Sequence, residues 1–88
     1  MDLKEIRKKV AEDLKRTRSD WTFLEKLEYW RNIYANACAS LLSEGFVGSA
    51  IIQAQIWKYI NNLRWYLIKK GWENFETKKS YQKILGWR

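Results

Sequence analysis

The sequence predicts an all-α protein, a small three- to four-helix bundle built on a long antiparallel αα-hairpin. Three observations carry this. The 88 residues contain no proline and only four glycines, so helix breakers are rare. Apolar residues recur at steps of three and four over three long stretches, which places them on helix faces. Start and stop residues bracket those stretches at the expected places.

The first helix is expected from Asp2 to about Arg18. Asp2 with Glu5 three residues later is a capping-box-like start. Leu3, Ile6, Val10 and Leu14 form a stripe only one residue per turn wide. The rest is charged, with Glu5–Lys9 and Glu12–Arg16 spaced i,i+4 in the favourable order. A thin stripe on a charged helix is a packing seam, used either within the chain or on another subunit. Leu3, Ile6, Val10 and Leu14 are therefore candidate protein-interface residues.

The second helix is expected to start between Ser19 and Thr22, where Thr22-Phe23-Leu24-Glu25 fits a capping box. Phe23, Leu27, Trp30, Tyr34, Cys38 and Leu41 form its core stripe, widened by Leu24, Ile33, Ala37 and Leu42. The run Ala35 to Ser40 has only short side chains, a shallow surface that a facing helix can approach closely. Ala35 and Ala39 are the interface candidates there. Gly45 is the expected helix end. Ser49 is the expected N-cap of a third helix running to about Lys70, with Ile52, Ile56, Ile60 or Tyr59, Leu63 and Leu67 as its core stripe. Lys69 and Lys70 suit the C-terminal dipole, and Gly71 closes the helix. The tail carries a shorter helix from Asn74 to about Leu85. Residues 1–88 thus read as one domain: an N-terminal helix or arm over 1–18, a hairpin over 20–71, and a basic tail over 72–88.

At this length a chain buries only about 60% of the surface its unfolded form exposes. One cysteine and no histidine exclude an internal disulfide and a structural zinc site. The expected source of core area is aromatic mass: six Trp, five Tyr and three Phe. With no histidine there is no His general base and no Ser-His or Cys-His pair. Cys38 sits among alanines on the apolar stripe, where a small buried hydrophobe is sufficient explanation. No phosphate-binding glycine loop is present. The expectation is a non-enzyme without cofactor or metal. No signal core or membrane span is apparent, which suggests a cytoplasmic protein.

The net charge of +7 is uneven. Residues 20–48 hold two Lys/Arg against four Asp/Glu, whereas residues 49–71 hold Lys58, Arg64, Lys69 and Lys70 and no acid. Such asymmetry points to an anionic partner; solubility is the bland alternative. On the third helix Lys58, Asn62, Trp65 and Lys69 follow at steps of four, three and four, sharing a face beside Arg64, Asn61 and Trp57. That face offers cations for phosphates, amides for base edges and an indole for stacking. The tail adds Lys78, Lys79 and Lys83, and Arg7, Lys8, Lys15 and Arg16 extend the basic surface from the first helix. The expected nucleic-acid contacts are Lys58, Asn62, Arg64, Trp65, Lys69, Lys70, Lys78, Lys79 and Lys83. The competing reading is a protein-binding adaptor, inhibitor or self-assembling subunit, since Trp anchors many protein interfaces.

In architecture and charge, a basic two-helix core with an accessory N-terminal helix resembles the small subunits of phage DNA-packaging terminases and the small helical subunits of CRISPR effector complexes. The resemblance implies a nucleic-acid-proximal part repeated within a larger assembly. No motif carries it, so it transfers no residue roles.

Overall fold

The computed structural model describes residues 1–70. Over these the chain is all-helical, with α1 at Leu3–Arg16, α2 at Phe23–Ser43 and α3 at Val47–Lys69 and no strand. The expected tail helix, the Gly71 cap, and Lys78, Lys79 and Lys83 lie outside the described residues.

α1 starts as its sequence dictates: Asp2 Oδ1 accepts the Glu5 backbone N–H at 2.8 Å, satisfying one of the donors that a helix start leaves orphaned. It ends at Thr17, whose backbone turns extended. The Thr17 hydroxyl donates to the Asp13 carbonyl at 2.9 Å, which caps one of the last free carbonyls. Ile6, Val10 and Leu14 are buried, the last two to 1% exposure. Their stripe packs within the chain, against Phe23, Leu27 and Tyr34 of α2 and Ile56, Tyr59, Ile60, Leu63 and Leu67 of α3 in a single core. Between α1 and α2, Arg18 donates through Nε and Nη2 to both Asp20 carboxylate oxygens, at 3.0 and 2.7 Å. This hydrogen bonding holds the Asp20 carboxyl below its ordinary pKa.

α2 opens on a complete capping box. Thr22 Oγ1 accepts from Glu25 N at 3.1 Å, and Glu25 Oε1 accepts from Thr22 N at 2.9 Å. It closes on Gly45, which adopts φ +85°. There the Phe46 N–H donates to the Leu41 carbonyl at 2.8 Å and the Gly45 N–H to the Leu42 carbonyl at 3.1 Å. This pair of bonds is the Schellman arrangement, whose left-handed residue glycine adopts without the Cβ penalty. α2 and α3 make the most extensive helix–helix contact among the described residues.

Two expectations about α3 are corrected. Its N-cap is Phe46, without a side-chain hydrogen bond, and not Ser49. The reason is the turn: after the Schellman bonds the Phe46 carbonyl already accepts Ala50 N–H at 3.0 Å, so helix begins at Val47 and Ser49 lies inside it. The second correction is Ile52, expected in the core but 41% exposed. Buried positions on α2 stop at Tyr34, and those on α3, apart from Ala50, begin at Ile56. On the side of α3 that carries Ile52 the core ends there, one turn short of it, although Ala50, nearer the turn, is 1% exposed.

Candidate nucleic-acid interface

The acid-free stretch of α3 projects a row of side chains away from the core. Ile56, Ile60, Leu63 and Leu67 turn inward, so the positions between them at 58, 62, 65 and 69 turn outward. The structure brings Lys58, Asn62, Trp65 and Lys69 together in one groove of about 550 Å³, within the range of small-ligand sites. The opposite wall comes from Met1 and from Leu3 and Ile6 of α1; Gln55, Tyr59 and Tyr66 complete it from α3. None of these ten described residues is a carboxylate, an imidazole or a thiol. Lys58 and Lys69 stand eleven residues apart on α3, or about 16 Å at helical rise. One strand of a B-form duplex places about five phosphates over that length.

Trp65 is 52% exposed. Its indole lies open beside the ammonium groups, and the Arg64 guanidinium carbon stands 5.7 Å from its ring centroid, a cation–π distance. Lys70 caps α3, and its Nζ lies 5.8 Å from the Tyr66 ring centroid. Arg64 and Lys70 thus flank the groove without lining it. Trp57, also exposed, lies outside the groove, as do Lys8, Lys15 and Arg16, all exposed on α1. Arg7 is half-buried, with Nε and one terminal nitrogen enclosed and without a hydrogen-bond partner among the described residues.

Of the interface candidates, Ile6, Val10 and Leu14 are occupied by the chain's own core, so a partner would meet only Leu3 of that seam. Leu3 is 45% exposed and forms part of the groove wall. Ala35 is half-buried and Ala39 exposed on α2.

Sequence reasoning missed the contribution of α1 to the groove, because which helix lies opposite 58–69 is a tertiary fact. Gln55 was within reach, since it precedes Lys58 by three residues on the same row. A buried polar cluster was missed as well. Asp13, 1% exposed, accepts hydrogen bonds from the Tyr34 hydroxyl and, at 3.3 Å, from Lys9 Nζ. Trp30 Nε1 donates to Thr17 Oγ1 at 2.6 Å. Burial first, then the hydrogen bond to Asp13 and its charge, push the Tyr34 hydroxyl far above its ordinary pKa; it stays protonated and serves as a donor. The cluster ties the C-terminal end of α1 to α2. Among the described residues no helix is long and apolar enough to cross a membrane. The comparisons with known proteins return no match: no family model fits the chain, and neither a curated sequence nor a solved structure is significantly similar to it.

Proposed function

We propose that this chain is a non-enzymatic, basic helical protein that binds nucleic acid along α3, as a subunit of a larger cytoplasmic assembly. The single observation that supports the reading is the convergence of Lys58, Asn62, Trp65 and Lys69 on one groove with no acid among its described lining residues. Two ammonium groups at that separation neutralise phosphates and release counterions. An exposed indole between them offers a stacking platform, worth about 1–3 kcal/mol per base. Asn62 and Gln55 supply amide donors and acceptors for sugar or base edges. A single strand suits the groove better than a duplex, since stacking on Trp65 requires an unpaired base. In this reading α2 and α3 form a long antiparallel hairpin, the rigid base of a three- to four-helix bundle, and Lys78, Lys79 and Lys83 add further cations for phosphates.

Fluorescence anisotropy with labelled single- and double-stranded DNA and RNA tests it. Lys58→Glu combined with Lys69→Glu is expected to abolish binding while leaving the far-ultraviolet circular dichroism unchanged, because both lysines are exposed. Undiminished binding by a folded double variant refutes the assignment of the groove.

A further inference from the structure

The core stripes of both long helices run on past their cover. On α2 the stripe passes from Tyr34, 5% exposed, through the half-buried Cys38 and Leu41, to Leu42 at its edge, 54% exposed. On α3 it passes from Ile60 and Ile56, at 0% and 2%, to Ile52 at 41%. Leu42 and Ile52 have the sequence pattern of core residues, yet no third element covers them among the described residues. Phe46, Val47 and Ile51, each more than half exposed, lie at the same end of the α2–α3 pair. An apolar end of this kind marks an interaction surface.

Charge identifies the occupant. From Asn32 to Trp57 the chain carries a single charged residue, Glu44, while every other charge of this +7 protein lies outside that stretch. Two copies repel each other over the rest of their surface; the uncharged end is where they can meet. Phe46 and four aliphatic side chains, each about half exposed, present at most roughly 500 Å². Burial of that area on both copies gives about 1,000 Å² in total, the lower bound for a specific interface.

We infer that the α2–α3 connection end, through Leu42, Phe46, Val47, Ile51 and Ile52, is a two-fold self-association surface on which a second copy completes the core. This gives the assembly in the proposed function a defined contact, and it uses none of the groove residues. The contact is isologous and weak, as its area implies.

Sedimentation equilibrium of the full chain from micromolar to millimolar concentration, at low and high salt, tests it. The mass is expected to rise from 10.7 kDa towards twice that value, and to rise further at high salt as the like charges are screened. Nucleic-acid binding responds to salt in the opposite sense, so failure of one reading is distinguishable from failure of the other. Leu42→Lys with Ile52→Lys is expected to weaken association at least tenfold without loss of helicity, both positions being exposed. Mixing it with Leu42→Glu/Ile52→Glu is expected to restore the dimer mass. A monomer at every concentration, a dimer that survives the lysine variant, or a mixture that stays monomeric each overturns the inference; a folded monomer that instead floats with anionic vesicles assigns the surface to a membrane.

Discussion

Replacing Tyr34 with Phe removes one oxygen from the centre of the protein and tests how α1 is held. The ring is 5% exposed and its hydroxyl donates to Asp13, itself 1% exposed. After Tyr34→Phe the ring still fills its space, but Asp13 Oδ2 loses its donor inside the protein. Lys9 remains at 3.3 Å on the other oxygen, so the carboxylate is not left wholly unpaired. The full 3–5 kcal/mol for breaking a buried pair therefore overstates the effect. A hydrogen bond to a charged group contributes about 1.5–3 kcal/mol, and about 2 kcal/mol is expected here. At about 4–8 °C per kcal/mol for a domain of this size, the melting midpoint should fall by about 8–16 °C at neutral pH. Thermal denaturation followed by circular dichroism measures it. The sign of the pH dependence follows from the raised Tyr34 pKa. The folded state keeps that proton more tightly than the unfolded chain, so the contribution is complete below about pH 10, the ordinary tyrosine value, and is lost as pH climbs above it. Wild type should lose stability above about pH 10 more steeply than Tyr34→Phe. A Tyr34→Phe variant within about 0.5 kcal/mol of wild type, the range of ordinary surface substitutions, refutes the role given to this pair.

Two further outcomes are expected. Gly45→Ala should cost about 1–2 kcal/mol by chemical denaturation, because φ is +85° and a Cβ meets nothing within 4 Å; the cost is conformational strain alone. Trp65→Ala should weaken single-strand binding by about 1–3 kcal/mol and leave stability nearly unchanged, since half of that side chain is already in solvent; titration by anisotropy beside a thermal melt separates the two.

The helices were legible because their boundaries are local chemistry. Thr22 with Glu25, Asp2 and Gly45 act within a few residues: the first pair closes both bonds of its box, Asp2 accepts from the Glu5 N–H without the reciprocal side-chain bond seen at Thr22, and Gly45 takes the left-handed turn. Ser49 misled because a serine ahead of an apolar run is a cap only if the preceding turn leaves it outside the helix, and the Schellman bonds close the turn by Phe46. Ile52 and Leu42 misled differently: periodicity reports which face a residue is on, not how far along that face the cover extends. Asp13 falls on the Ile6–Val10–Leu14 side of α1, yet an acid on a helix rich in charge reads as solvated. Its partner is 21 residues away, beyond any local spacing rule. The row 58–62–65–69 was legible as a face of α3; that α1 stands opposite it and makes the face a groove was not.

The salt dependence of single-strand affinity tests the central claim most directly. If Lys58 and Lys69, with Arg64 and Lys70 beside them, meet two to four phosphates, log K should fall against log salt with a slope of about −1.4 to −2.8, at about −0.7 per phosphate on single strands. Binding that is absent at low salt, or whose slope is flatter than about −0.7, contradicts the claim that the groove on α3 is held to its ligand through phosphates.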